Sequence, residues 1–206
     1  MSETSAERET GRVEAFSDGV YAIAITLLVL ELKVPHVATQ AELARALVAQ
    51  WPSYAALVTS FATIGIMWIN HHTLFGLIRR VDHGLLIWNA LLLLGTTVVP
   101  FPTALVAATL GHPGASLAAA VYSGVYLVIA LLFTGLWRHA SSPRRQPPLL
   151  RHPPDHPAVQ AVHARYRFGP LFYLASLAVA PVSAGGSLAL NLAFAIFWAV
   201  PYRAGR

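Results

Sequence analysis

Six stretches of the chain stay apolar for about the length of a membrane crossing, and polar residues gather between them. They fall at 13–34, 53–77, 84–108, 116–137, 167–183 and 187–202, against the ~20 mostly apolar residues that a helix needs to cross the hydrocarbon core. The last two are short and meet at VSAGGS (182–187), a Ser/Gly turn that reads as a tight helical hairpin or a pair of tilted helices. The pattern predicts an all-α membrane protein with six transmembrane helices per subunit, one six-helix repeat over residues 1–206. Residues 1–12 precede the first span, and residues 139–166 form a linker between the fourth and fifth.

Composition agrees. The chain is 56% hydrophobic and 11% charged, whereas an ordinary soluble domain is about 25% charged. Glu3, Glu7, Glu9 and Glu14 stand against Arg8 and Arg12 at the start, with no basic segment ahead of the first span, so no signal peptide is expected. The absence of cysteine excludes disulfides and thiolate-held metals.

Charge sets the expected orientation. With a cytosolic N-terminus, Arg8, Arg12, Arg79, Arg80, Arg138, Arg144, Arg145, Arg151, Arg165, Arg167, Arg203 and Arg206 fall inside, and only Lys33 and Arg45 fall outside. This is the asymmetry of the positive-inside rule, so both termini are expected in the cytosol. A basic pI is then explained by orientation and by anionic lipid at the inner surface. Nothing resembles a basic groove or aromatic-interleaved patch, and no nucleic-acid partner is expected.

The outer connection contains TQAELARALVAQ (39–50), in which Thr39 and Glu42 have capping-box spacing. It predicts a short interfacial helix leading to Trp51 and Pro52. The inner linker holds His139, His152, His156 and His163 among prolines and arginines, a composition that favours a solvated, extended path over a metal cage or pH sensor.

Ser17 and Asp18 sit at the threshold of the first span. An ionisable group there is costly and is normally paired, or faces protein or water. Capping of a helix start is one reading of both residues. Depth suggests another, because Asn70, His71 and His72 near the end of the second span, and Trp88 and Asn89 near the start of the third, lie at the same level. Polar groups at matched depth on three helices suit a mutually satisfied network. An enzyme is not expected: His71 and His72 point about 100° apart on a helix, and no HExxH, GxSxG or Walker pattern occurs. No metal site or cofactor is expected.

On a helical wheel, Ile23, Leu27 and Leu30 share a stripe flanked by Gly19 and Thr26, with Asp18 nearly opposite. Periodicity alone leaves this stripe open to lipid, core or pore.

Arg12 followed by Phe16-Ser17-Asp18 matches the R-x-x-x-F-S-D signature, and the chain resembles the prokaryotic transmembrane protein 175 potassium channels. SFATIGIMWINHHTLF (60–75), DHGLLIWNALLLL (82–94) and PFPTAL (100–105) extend the resemblance over about the first 110 residues. The resemblance implies a homotetramer in a prokaryotic plasma membrane, its pore lined by the first helix, passing potassium as a leak-type channel. Ile23 then corresponds to a hydrophobic constriction, followed by Leu27 and Leu30, with Thr26 in a pore-facing threonine layer. Arg12, Phe16, Ser17, Asp18, Asn70, His71, His72, Trp88 and Asn89 form the structural network behind it. The partners implied are other copies of the chain, permeant potassium ions and lipid. The rival readings are a secondary transporter or proton pathway using Asp18 and the His71/His72 layer, and a non-conducting scaffold.

Overall fold

A computed structural model describes residues 3–144 and 146–200. Of the arginines expected on the inner side, Arg145, Arg203 and Arg206 lie outside these residues. The described chain is helical almost throughout. Helix α1 (Glu3–Leu27) tightens into a 3-10 turn at Leu28–Glu31; α2 (Gln40–Ala49) and α3 (Trp51–Leu77) follow, then α4 (His83–Val98), α5 (Pro100–Thr109), α6 (Ala115–Ala140), α7 (Pro157–Val179) and α8 (Ala184–Ala199).

Local chemistry fixes the boundaries. Thr39 and Glu42 close both bonds of a capping box at α2, with Glu42 N donating to Thr39 Oγ1 at 3.3 Å and Thr39 N to Glu42 Oε2 at 3.0 Å. Asp82 starts α4 by accepting from Leu85 N at 2.7 Å, and Ser183 starts α8 by accepting from Gly186 N at 3.0 Å. Pro52 and Pro157 occupy first-turn positions, where a missing N–H costs nothing. Pro100 and Pro102 lack donors too, so the apolar run 84–108 divides at Val99 into α4 and α5. Gly111, at a φ of 82°, ends α5 in the left-handed region that glycine adopts freely.

The expectation of six spans is corrected. Among the described residues, four helical segments are long and apolar enough to cross a membrane: Glu9–Glu31, Trp51–Leu77, His83–Thr109 and Ala115–Ala140. The physical reason lies in the last two helices. The first half of α7 carries His163, Arg165 and Arg167, leaving an apolar remainder shorter than a crossing. Helix α8 has 16 residues, about 24 Å at 1.5 Å per residue, against a core of about 30 Å.

Helix α6 is the hub of the packing, meeting α4, α5, α7 and α8, while α1 lies against α3 and α4. Gly135 on α6 is the seat of the Trp88 ring: a Cβ there would collide with that indole. The α6–α7 connection is more ordered than its composition suggests. Leu150 forms an antiparallel bridge with Ile78, Arg79 N donates to Leu149 O at 2.7 Å, and Arg151 N donates to Leu77 O at 2.9 Å. Ile78, Leu149 and Leu150 are all buried, so two leucines in a Pro/Arg-rich run plug the end of the bundle.

The four histidines of this region do not converge. His139 pairs with Asp82 at 2.8 Å, and His163 Nδ1 accepts from Trp137 Nε1 at 3.2 Å. His152 and His156 stack on each other at 4.0 Å.

Candidate functional site: a two-faced first helix

Helix α1 has one face committed to its own subunit. Ser17, Tyr21, Ala24 and Leu28 recur every three or four residues, Thr10 lies two turns before them, and all five are buried. On another side Phe16, Gly19, Ile23, Thr26, Leu27 and Leu30 are exposed, Ile23 by 59% and Leu30 by 63%. The stripe that periodicity left open is therefore not core of the single subunit. Thr26 Oγ1 donates to Ile23 O at 2.9 Å. Its proton is thereby used, and its hydroxyl oxygen is left as an acceptor. Lys33 Nζ donates to Leu30 O at 3.2 Å, capping a carbonyl at the end of the 3-10 turn.

A directional chain of hydrogen bonds ties the buried face to α3 and α4. Ser17 Oγ donates to Val13 O at 2.8 Å, so it is free to accept from Asn89 Nδ2 at 3.0 Å. Asn89 Oδ1 then meets His71 Nε2 at 2.8 Å, which requires the proton of a neutral His71 to sit on Nε2. Phe75 stacks on the His71 ring at 4.4 Å, and Tyr21 meets its edge at 5.4 Å. Ser17, Asn89 and His71 are all buried within the single subunit, so each depends on the others for its hydrogen bonds.

The remaining residues of the expected layer divide by direction. Asp18 accepts from Trp68 Nε1 at 2.8 Å, not from a histidine. His72 stacks on that Trp68 at 6.2 Å. Ser17 and Asp18, being consecutive, point about 100° apart and are served by different partners. Asn70 faces α8, its Nδ2 donating to Ile66 O at 2.8 Å and to Trp198 O at 3.4 Å. Trp88 is turned toward Gly135 of α6. Arg12 and Phe16 line an open groove of about 480 Å³ with Glu9, Val13, Leu86, Asn89 and Ala90.

Sequence reasoning missed Trp68 as the partner of Asp18. The signal was present, since Trp68 lies three and four residues before His71 and His72 and shares their side of α3. It also missed a second buried polar group on α6, α7 and α8, formed by Ser123, Ser176, Ser187 and Asn191. Its signal was small polar residues inside apolar helices, a mark of close helix packing.

Comparison with known proteins adds the family. A family model described as the endosomal/lysosomal potassium channel TMEM175 matches residues 12–100. A Chamaesiphon minutus protein named as a potassium channel is 48% identical over 97% of this chain and 98% of its own. The chain belongs to the TMEM175 family. A Streptomyces collinus member, also named as a potassium channel, is 48% identical over 92% of this chain and 91% of its own. The crystal structure of a Chamaesiphon minutus homologue of the lysosomal potassium-selective channel TMEM175 superposes with a TM-score of 0.83 at 47% identity, covering 97% of this chain and 100% of that one. TMEM175 proteins are ion channels of membranes, not enzymes.

Proposed function

We propose that this chain is the subunit of a potassium-selective, leak-type channel of a prokaryotic plasma membrane. Four copies surround a pore lined by α1, with Ile23, Leu27 and Leu30 directed at the axis. The observation that carries the reading is the exposed Phe16–Leu30 stripe on a helix whose opposite face is bonded to its own subunit through Ser17, Asn89 and His71. Relatives that match almost the whole chain are named as potassium channels, which supports the ion assigned.

A ring of isoleucines passes an ion only when wetted, and it penalises an ion by how tightly that ion holds its water. Potassium gives up its hydration more readily than sodium, so an apolar constriction favours it. Thr26 contributes because its oxygen retains acceptor capacity after donating to Ile23 O, partly replacing water lost at the constriction. Permeant potassium is the only small partner assigned. Asp18 and Trp68 hold the helix from the side, and the Ser17–Asn89–His71 chain holds it from behind.

Reconstitution in liposomes with potassium and sodium exchanged across the bilayer tests this. Ile23→Asn is expected to raise potassium flux and lower the preference for potassium over sodium. Flux and preference both equal to those of the unsubstituted chain would overturn the assignment of Ile23.

A further inference from the structure

We propose that α4 and α6 are fixed against each other by a reciprocal lock, two rings in two glycine seats, and that this lock sets where α1 stands. Gly84, Trp88, Gly135 and His139 are then positioning residues for ion selection, a role that rests on the reading of α1 as the pore helix.

Each helix gives one ring and one glycine. The Trp88 indole of α4 lies on Gly135 of α6, and the His139 imidazole of α6 lies on Gly84 of α4. Glycine and ring are four residues apart on both helices, about one turn, so the two seats are filled in antiparallel register. Glycine inside a helix is less favourable than alanine, and the close approach of a ring is what requires it here. A Cβ on Gly135 would stand 2.6 Å from Trp88 Cη2 and 2.8 Å from Trp88 Cε3, and one on Gly84 would stand 2.6 Å from His139 Nε2. The His139 ring is tied to its seat, because Nε2 meets Asp82 Oδ1 at 2.8 Å, the same oxygen that accepts from Leu85 N to start α4. Trp88 is packed against the buried core.

The lock reaches the pore helix through the next residue of α4. Asn89 follows Trp88, points about 100° away from it, and donates from Nδ2 to Ser17 Oγ of α1 at 3.0 Å while its Oδ1 meets His71 Nε2 of α3. Ile23 stands further along the same α1. Non-bonded carbons rest about 3.5–4.0 Å apart, so a methyl at position 135 drives the indole back by about 1 Å. A side-chain hydrogen bond is lost by about 3.6 Å. A withdrawal of that size, taken up by α4, exceeds what the 3.0 Å bond from Asn89 to Ser17 tolerates, and α1 is released with Ile23 on it.

Potassium and sodium flux through the full chain in liposomes tests the lock, with Ile23→Asn measured alongside. Gly135→Ala and Gly84→Ala are each expected to lower the preference for potassium over sodium several-fold. Gly124→Ala, on the same α6 but with nothing within 4 Å of the added Cβ, is expected to leave it unchanged. Trp88→Phe has a smaller ring that vacates part of the seat. Added to Gly135→Ala, it is expected to recover most of the lost preference, so that the two changes are not additive. If Gly135→Ala does not assemble, the same recovery is expected in the assembled fraction on size-exclusion chromatography. A native preference in Gly135→Ala beside a lowered one in Ile23→Asn would overturn the lock and leave the pore reading standing. An equal loss in Gly124→Ala, or a double variant no better than Gly135→Ala alone, would overturn it too. A preference unmoved by Ile23→Asn would overturn the pore reading, and the role of the lock with it.

Discussion

Asn89 is the joint by which α1 is held, because its side-chain amide bonds both Ser17 and His71. Asn89→Leu keeps the volume near native and leaves two buried polar groups without that partner. The expected loss is about 1–3 kcal/mol, read as a lowered unfolding temperature in detergent. Asp18 acts differently, since it is exposed and bonded to Trp68 at 2.8 Å on the flank of the helix. Asp18→Ala is expected to reduce the assembled fraction on size-exclusion chromatography. Thr73→Ala, which removes only a bond to Ile69 O within α3, is expected to leave assembly intact. The depth of Ser17, His71 and Asn89 was legible in the sequence because residue counts along antiparallel helices fix level. Their azimuth was not, and so the sequence could not tell that Asn70 turns to α8, Trp88 to α6, and Trp68 to Asp18.

Among the elements, α2 was the most legible, since Thr39 and Glu42 specify its start by chemistry local to four residues. The Glu42 carboxyl is held below its ordinary value of 4.5, chiefly by the Thr39 side chain and then by the Thr39 backbone. A depressed carboxylate contributes to the folded form above its ordinary pKa, and that contribution is lost as pH falls through the lowered value. Hydrogen exchange over residues 40–46, corrected for intrinsic rates, is therefore expected to quicken on acidification through the carboxylate range. Protection independent of pH there would show that the capping box does not stabilise α2. The span count was less legible. Hydropathy counted the short runs 167–183 and 187–202 as spans, but Arg165 and Arg167 fall inside α7 and α8 stops after 16 residues. The strap at Leu149–Arg151 was hidden because two leucines in a run of prolines and arginines carry no periodicity, and only the tertiary fold supplies Ile78 to cover them.

For the whole molecule, the division of labour is between a bonded interior and a bare stripe. Helices α3 and α4 carry α1, α6 packs behind α4, and the second polar group at Ser123, Ser176, Ser187 and Asn191 joins α7 and α8 to α6. Exposed Ile23, Leu27 and Leu30 are explained when further copies bring the same stripe to a common axis. Because the chain has no cysteine, a single introduced thiol is a unique reporter. The most direct measurement is potassium flux in liposomes through Ile23→Cys, before and after a positively charged, water-soluble thiol reagent, with Leu131→Cys, at a residue of α6 that is 51% exposed, as control. A pore lined by α1 requires the reagent to stop flux through Ile23→Cys and to leave Leu131→Cys conducting. Undiminished flux through Ile23→Cys after treatment would contradict it.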